Sequence, residues 1–319
     1  MSPGHRLRTE DAAALVPTAF RDAVGRFTAE DGGVHGPSGA DWADRLPRLL
    51  AEVLDDWQLE VAGDARTGWT ALVVPVRRDG LPLALKLVWP HIEARDEPLA
   101  LRHWDGRGAV RLVAADPGRG ALLLEALDAS RDLSSEDVDS ACEVAGRLLG
   151  DLHVPAPAGL RRLSDFAQDQ VRKLQDTDGL LPRRMVERTA GLVRDLTSDP
   201  ACDATLVHTD LHYRNVLHSL PGSDRPSWLA IDPHPMAGHP GFEIQPLLRN
   251  RVDELGTGSA FRYLVRRRLE VTCEAAGIDE DEALAWTYVH TAMEARWAAG
   301  GDDTSGVSFN IALLKALDG

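Results

Sequence analysis

The hydrophobic pattern divides the chain into a strand-rich first part and a helix-rich second part. After a short helix and a loose connection before residue 40, apolar residues recur at helical spacing from Trp42 to Trp57 and predict an amphipathic helix. Short apolar runs bounded by Gly, Asp and Pro follow. They predict strands at 71–76, 83–88, 110–115 and 121–127, with one helix between the second strand and the third.

After Asp128 the period of the pattern becomes helical. Ser134 and Asp137 predict a capping box in front of an apolar face that runs from Val138 to Leu152. Further helices are predicted at 182–197, 243–254, 259–276, 280–299 and 307–317. A small sheet followed by a helical half predicts an α+β chain with two lobes.

Composition narrows the function classes. The 319 residues are 44% hydrophobic and 27% charged, as in an ordinary globular protein, and the net charge of −15 disfavours a nucleic-acid partner. Three scattered cysteines predict neither a disulfide framework nor a zinc knuckle. The N-terminus lacks an apolar signal region and no stretch approaches 18 uninterrupted apolar residues. We therefore expect a cytoplasmic protein with no membrane partner.

Lys86 lies in the middle of the apolar run 83–88 and is one of only three lysines. Burying an ammonium group there is costly unless an anion pairs with it, and the helix that follows offers two carboxylates. Glu97 is the predicted partner and Glu93 the alternative. The competing interpretation is a lysine on an edge strand whose ammonium reaches solvent.

The segment 206–235 contains the residues that point most clearly to chemistry. Its two apolar runs, joined by a polar loop, predict an antiparallel hairpin. That pairing brings Asn215 beside Asp232, and Asp210 precedes Asn215 by five residues in the same loop. Amide and carboxylate oxygens on an open site suit magnesium, whose shell substrate phosphates can complete.

The spacing of His208, Asp210 and Asn215, with Asp232 after an apolar strand, resembles the catalytic loop and metal aspartate of kinase-like phosphotransferases. The stretches LALKLVWP, HTDLHYRNVL and WLAIDPHPMAGHPGFE extend the likeness from about Trp57 to the C-terminus. On these motifs the chain is identified as a member of the aminoglycoside phosphotransferase family. Within it, the chain resembles the branch of streptomycin 6-phosphotransferases and aminoglycoside/hydroxyurea antibiotic-resistance kinases.

The resemblance implies a two-lobed protein-kinase-like fold. Residues 1–125 form a lobe with a small β-sheet, and residues 126–319 form a mostly helical lobe with the catalytic loop and the acceptor site. The implied roles are Asp210 as the catalytic base with His208 in support, Asn215 and Asp232 as magnesium ligands, Lys86 paired with Glu97 at the nucleotide phosphates, and backbone groups from Glu125 to Leu127 at the adenine.

The expected activity is magnesium-dependent transfer of a phosphoryl group from ATP to a hydroxyl of a small antibiotic. A streptomycin-like aminoglycoside is the first choice of acceptor, and phosphorylation would confer resistance to it. GTP stays open as the nucleotide, and another hydroxylated metabolite or a nucleoside antibiotic stays open as the acceptor.

Residues 269–303 contain nine acidic residues against one arginine, which favours a cationic acceptor. A solvated helix start would explain part of the same charge. Asp253, Glu254 and Glu294 are the candidates for binding the acceptor.

Two positions depart from the family pattern: His239 replaces the usual aspartate of a GDP motif, and Thr209 replaces a common glycine. They leave the metal geometry and the substrate open. A zinc hydrolase built on the alternating His208, Asp210 and His212 is a second interpretation, and it predicts stoichiometric zinc. A third is a kinase-shaped binder without activity, which the retention of all four polar roles disfavours.

Overall fold

The computed structural model describes residues 8–177 and 179–318, and these form two compact units. The first unit contains the described residues up to Gly106, Val110–Leu127 and Leu220–Gly222. The second contains Arg107–Ala109, Asp128–Ser219 and the described residues from Ser223 onward. The sequence predicted a single division after residue 125. The observed division is less simple, because the short segment Arg107–Ala109 belongs to the second unit and Leu220–Gly222 belongs to the first. Over the described ranges, no helix is long and apolar enough to cross a membrane.

From residue 8 onward, the first unit has three helices followed by an antiparallel sheet that one further helix interrupts. The helices are α1 (Thr9–Ala14), α2 (Thr18–Val24), α3 (Gly39–Asp56) and α4 (Glu97–Trp104). The strands are β1 (Glu60–Val61), β2 (Arg66–Thr67), β3 (Ala71–Arg78), β4 (Leu81–Val88), β5 (Leu112–Asp116) and β6 (Ala121–Glu125). Their order is β1-β3-β4-β6-β5, and β2 pairs with β3 beside β1. The strands predicted at 71–76, 83–88 and 110–115 and the helix predicted from Trp42 to Trp57 are confirmed to within a few residues, whereas the single short helix expected before residue 40 is two helices, α1 and α2.

One hydrophobic cluster joins α3 to the sheet of the first unit. Ser38 starts α3 by accepting a hydrogen bond from the backbone N–H of Asp41, at 3.1 Å. The buried face of the helix brings Leu46 and Leu50 into the cluster that contains Leu85 of β4. Each fully buried leucine contributes about 1.5–3 kcal/mol. The cluster therefore fixes β4, the strand that carries Lys86, within the unit.

The second unit is mostly helical, and within the described residues it contains two small three-stranded sheets. Its helices are α5 (Val138–Leu152), α6 (Leu163–Gln175), α7 (Arg183–Leu196), α8 (Gln245–Leu248), α9 (Ser259–Ala276), α10 (Glu280–Gly300) and α11 (Thr304–Leu317). Its strands are β7 (Leu127–Asp132), which starts at the unit boundary, β8 (Val154–Pro155), β9 (Thr205–Val207), β10 (Val216–Ser219), β11 (Trp228–Ala230) and β12 (Met236–Gly238). The sheets have the orders β11-β10-β7 and β12-β9-β8.

The structure corrects three predictions, two of them in the second unit and one at the unit boundary. The helix predicted at 243–254 is wrong as a continuous element: α8 has only four residues, and Arg251 adopts a left-handed φ of 53° that no α-helix can include. The capping box at Ser134 is also wrong. Asp137 is itself the N-cap of α5, and its carboxylate accepts from the N–H groups of Asp139 and Ser140 at 3.0 and 3.3 Å. The strand predicted at 121–127 is divided, because β6 ends before β7 begins.

Helices α5 and α9 pack closely because Gly146 has no side chain. A Cβ at this position would lie 2.6 Å from the carbonyl oxygen of Thr272 and 2.7 Å from the Cβ of Ala275. Any larger residue would push the two helices apart. The contact fixes α5, whose C-terminal cap is His153, and this histidine reaches the candidate active site.

Candidate active site

Lys86 and Glu97 form a buried ion pair in the first unit. Lys86 lies on β4 between β3 and β6, opposite Val73 and Leu122, so its strand is not at an edge of the sheet. Its Nζ lies 2.6 and 2.8 Å from the two carboxylate oxygens of Glu97, the first residue of α4. The two residues are 5% and 1% exposed. The edge-lysine interpretation is therefore wrong, and the pair holds a cation at a fixed place on the sheet.

The predicted hairpin in the second unit is confirmed. Strands β10 and β11 pair with Val216 opposite Ala230, and the backbone N–H of Ile231 donates to the carbonyl oxygen of Asn215 at 2.9 Å. Asp232 directly follows Ile231 in the chain. The pairing therefore brings Asn215 and Asp232 to the same end of the hairpin.

Asp210 and Asn215 contact each other directly. Asp210 lies three residues after the end of β9, and the Asn215 Nδ2 donates both to its carbonyl oxygen, at 2.9 Å, and to its Oδ2, at 3.2 Å. Because the amide nitrogen is engaged in this way, the Oδ1 of Asn215 is the atom of that side chain left to act as an acceptor. The loop thus joins one carboxylate to one oriented amide.

Two residues of the candidate site have a left-handed backbone. Thr209 has φ of 62° and Asp232 has φ of 56°, and such a conformation is rare for a β-branched residue. Hydrogen bonds hold Thr209 there: its Oγ1 donates to the carbonyl oxygen of His234 at 2.6 Å, and its N–H donates to Glu243 at 3.0 Å. Threonine is therefore held in a conformation that glycine adopts without steric cost.

Glu243 is a buried carboxylate that fixes the start of the catalytic loop. It is 0% exposed, and its Oε1 accepts from the backbone N–H groups of His208 and Thr209. Its Oε2 lies 2.5 Å from the Nε2 of His153. The sequence prediction missed this residue. A lone acid in the apolar run from Phe242 to Leu248 is the signal that could have found it, by the criterion applied to Lys86.

His208 is engaged within the protein through both ring nitrogens. Its Nδ1 accepts from the N–H of Asp210 at 3.3 Å, and its Nε2 lies 3.0 Å from the carbonyl oxygen of Ile231. Burial lowers the pKa of the imidazole and keeps it neutral, so the Nε2 carries the proton and donates. Both ring nitrogens are thus engaged, which disfavours a zinc site on His208, and within the described residues His208, Asp210 and His212 do not bring three possible metal-ligand atoms together. The residue supports Asp210 by fixing the backbone on either side of it.

Arg249 joins Asp210 to Glu294. One guanidinium nitrogen lies 2.5 Å from the Oδ1 of Asp210, and the other lies 3.2 Å from the Oε1 of Glu294, on α10. The sequence did not single out Arg249, because it is one of many arginines; its place directly after an apolar run is the only signal it gives. Of the three acceptor candidates, Glu294 is thus brought to the catalytic loop. Glu254 pairs with Arg251 at 2.8 Å, and Asp253 is exposed in the same turn.

A family model described as aminoglycoside/hydroxyurea antibiotic resistance kinase matches residues 56–301. The chain belongs to this family. It is a small-molecule kinase, and its matched region contains both the Lys86–Glu97 pair and the Asp210 loop.

Relatives and solved structures agree with the family assignment. The chain is 38% identical to a streptomycin 6-kinase of Streptomyces glaucescens over 89% of its own length and 93% of the relative's. It is also 38% identical to a hydroxyurea phosphotransferase of Kitasatospora aureofaciens, over 89% and 82% of the two lengths. The structure resembles that of an aminoglycoside phosphotransferase with a TM-score of 0.55 at 12% identity, covering 85% and 97% of the two chains. The two-lobed protein-kinase-like fold is thereby confirmed.

His239 is the residue that, by the resemblance, replaces the aspartate of a GDP motif. Its Nδ1 accepts a hydrogen bond from the backbone N–H of Gly241 at 3.1 Å, as the carboxylate of a helix-capping aspartate does. Burial lowers the pKa of the imidazole, and its Nε2 lies 3.4 Å from Glu282. In the neutral ring the Nε2 therefore carries the proton. The replacement keeps a cap at this turn and removes a negative charge from it.

The resemblance assigns the adenine contacts to the backbone from Glu125 to Leu127. Glu125 is the last residue of β6 and pairs with Leu83, and its carboxylate accepts from the backbone N–H of Arg111 at 2.7 Å. Leu127 is the first residue of β7. The side-chain hydrogen bond fixes the end of β6, and the role of both residues in nucleotide binding stays a prediction.

Proposed function

We propose that this kinase transfers the terminal phosphoryl group of ATP to a hydroxyl of an aminoglycoside-like antibiotic and thereby confers resistance to it. The observation that carries the proposal is the contact between Asp210 and Asn215, at the end of the hairpin that also bears Asp232. These are the polar groups that a phosphoryl-transfer site needs in one place.

Asp210 is the proposed base. A carboxylate offers about four lone-pair positions, so the contacts to Asn215 and Arg249 leave acceptor capacity for a substrate hydroxyl. Asp210 orients the acceptor hydroxyl and takes its proton as the new bond to phosphorus forms. Because the transition state is loose, the orientation of the hydroxyl contributes more than the strength of the base.

Asn215 and Asp232 are the proposed magnesium ligands. The donor set fits this ion, because the orientation of the Asn215 amide leaves Oδ1 as its acceptor and the carboxylate of Asp232 supplies a second hard oxygen. When bound, magnesium offsets the negative charge of the nucleotide phosphates. Lys86, held by Glu97, is the proposed contact of the same phosphates, and the backbone from Glu125 to Leu127 is the proposed adenine contact. GTP is the alternative nucleotide.

The acceptor is proposed to be a cationic antibiotic of the streptomycin type. The identity to a streptomycin 6-kinase supports it, as does the acidity of residues 269–303. The equal identity to a hydroxyurea phosphotransferase supports a second candidate, the small neutral acceptor hydroxyurea.

Turnover with a panel of acceptors tests this function. ADP release is measured with ATP or GTP and with streptomycin, other aminoglycosides, hydroxyurea, nucleoside antibiotics and amino sugars. We expect ADP release that depends on streptomycin and on magnesium, together with a phosphorylated product in the mass spectrum. ADP release with hydroxyurea alone would make hydroxyurea, and not streptomycin, the acceptor. If no acceptor in the panel increased ADP release, the proposed function would be contradicted.

Two substitutions test the residue roles. We expect Asp210→Asn to lower kcat by about 100- to 10,000-fold and to leave nucleotide binding near that of the parent, because only the base is changed. We expect Asp232→Asn to abolish the magnesium dependence of nucleotide binding in calorimetry. Parent-like turnover in the Asp210 variant would contradict the base assignment, and magnesium-dependent binding in the Asp232 variant would contradict the metal assignment.

A further inference from the structure

The guanidinium of Arg249 contacts two carboxylates, and the three side chains come from separate elements of the second unit. Arg249 follows α8, Asp210 lies in the loop after β9, and Glu294 lies within α10. The two terminal nitrogens of Arg249 contact different carboxylates, at 2.5 Å to Asp210 and 3.2 Å to Glu294. A planar guanidinium held at both ends cannot turn without breaking one of these contacts.

The carboxylate of Asp210 has a donor on each oxygen. Arg249 approaches its Oδ1, and the Asn215 amide approaches its Oδ2 at 3.2 Å. The side chain is 15% exposed, so solvent competes little for these contacts. Together the two donors fix the rotation of the carboxylate, and hence the direction in which its remaining lone pairs face.

Glu294 is mostly buried, with a side chain 15% exposed, and a carboxylate in that position needs a cation near it. His290, one helical turn earlier, has its Nε2 3.7 Å from the same oxygen. Burial, with the nearby Arg249, lowers the pKa of this imidazole to about 3, so His290 stays neutral. The positive charge beside Glu294 is thus supplied by Arg249.

We propose that Arg249 and Glu294 are a positioning pair: Glu294 holds the guanidinium, and the guanidinium holds the Asp210 carboxylate toward the acceptor hydroxyl. The proposal rests on the proposed function, in which Asp210 is the base. It assigns Glu294 an indirect role through Arg249, and not the role of a ligand for the cationic group of the acceptor.

A double-mutant cycle with two acceptors tests the proposal. The variants are Arg249→Met, Glu294→Gln and the double variant, assayed with cationic streptomycin and with neutral hydroxyurea, whichever of the two the parent phosphorylates, or both. We expect Arg249→Met to lower kcat about 100-fold, because a misplaced reacting group costs this much. We expect Glu294→Gln to lower kcat about tenfold, since one of two holding contacts is weakened. The double variant should match Arg249→Met alone, because Glu294 acts only through Arg249.

The split between kcat and KM distinguishes a positioning role from ligand binding. We expect the KM values for both acceptors to change less than about twofold. We expect Arg249→Lys to recover only part of kcat, since lysine keeps the charge but has a single ammonium head. The exposed pair Arg183–Glu187 on α7 gives the matched control: Arg183→Met with Glu187→Gln should leave kcat and KM at parent values.

Two outcomes would overturn the proposal. In the first, Glu294→Gln raises the KM for streptomycin but not the KM for hydroxyurea, and the rise is the same in the Arg249→Met background. Glu294 would then be a ligand of the cationic acceptor. In the second, the kcat losses of the two single variants multiply in the double variant. A parent without transfer to any acceptor contradicts the proposed function instead. In that case the shifts in urea midpoint decide: non-additive shifts in the Arg249–Glu294 cycle support the pair, and additive shifts overturn it.

Discussion

Lys86 and Asp210 are both charged residues of a candidate site, and the two units hold them in different ways. Lys86 lies on a regular strand with neighbours on both sides, and one buried carboxylate eleven positions later in the chain pairs with it. Asp210 lies in an irregular loop whose neighbour Thr209 has a left-handed backbone. Its surroundings come from residues 5 and 39 positions away, namely Asn215 and Arg249.

The difference follows from what each charge has to do. A cation that contacts phosphates needs a fixed place, and a strand between two others supplies it at the cost of one buried ion pair. A base that orients a hydroxyl needs a fixed direction, which several donors around one carboxylate supply. We therefore expect the first unit to depend on one pair, and the second on a network whose members differ in weight.

The pair in the first unit should give the largest stability effect. Glu97→Gln leaves the Lys86 ammonium buried without its charge partner, and we expect the free energy of unfolding to fall by about 3–5 kcal/mol. Equilibrium urea unfolding measures it, with hydrogen exchange of the β4 amides to locate the loss.

The control for this change removes both charges. Lys86→Met with Glu97→Leu replaces the pair by apolar groups of similar size, so we expect most of the lost stability to return, and turnover to be lost because the proposed phosphate contact is removed. A double variant as unstable as Glu97→Gln would mean that packing of Glu97, and not an unpaired charge, caused the loss.

In the second unit, we expect substitution of Glu243 to have the largest effect on stability. Glu243→Leu leaves the buried N–H groups of His208 and Thr209 without their acceptor, and we expect a loss of about 3 kcal/mol together with a fall in kcat. Glu243→Gln keeps one acceptor oxygen and should recover about half of this loss. Unfolding and steady-state kinetics measure the two effects; parent-like kcat in the leucine variant would show that the loop holds its shape without Glu243.

The neutral histidines of the second unit predict an acid sensitivity. His290 has a pKa lowered to about 3 by burial, against an ordinary value of 6.5. The unfolded chain binds a proton that the folded protein does not, so stability is present above the ordinary pKa and is lost as the pH falls toward 3. Between about pH 7 and about pH 5 this loss amounts to about 2 kcal/mol.

His290→Asn measures that contribution. Asparagine can still donate to the carbonyl oxygen of Phe242, which the His290 Nδ1 contacts at 3.1 Å, but it does not titrate. We expect the variant to lose about 2 kcal/mol less than the parent between the two pH values. His35→Asn, at an exposed position, controls for the loss of a histidine. Parallel pH profiles of the parent and the His290 variant would contradict the prediction.

The same contrast explains what the sequence could predict. Lys86, Glu97 and the hairpin of Asn215 and Asp232 were found because a charge in an apolar run and two paired runs are local signals. Glu243 gave the same local signal as Lys86, but its partners, like those of Arg249, could not be predicted, because the contacts join positions 35 and 39 residues apart across loops without a period.

Cap signals did not decide which helices were predicted, because α7 and α9 were found although neither N-cap residue makes a side-chain capping bond. Helix α6 was missed although its buried residues recur at helical spacing, from Leu163 to Leu174. The helix predicted at 243–254 failed because Arg251, inside the predicted span, has a left-handed backbone. That break is what lets Arg249, just after α8, reach Asp210 while Arg251 turns to Glu254.

The smallest expected effect is at His239, which the resemblance identified as a replacement of an aspartate. His239→Ala removes the acceptor for the Gly241 N–H, and we expect a loss of about 1 kcal/mol, the usual weight of an N-cap. His239→Asp restores the family residue and should stay within about 0.5 kcal/mol of the parent, because a better cap is offset by repulsion from Glu282. His239→Asn keeps the cap without the charge, so its difference from the aspartate variant isolates that repulsion. Thermal unfolding and nucleotide KM are measured together: a cap changes stability alone, whereas a residue of the metal loop would change the KM at constant stability and so contradict this assignment.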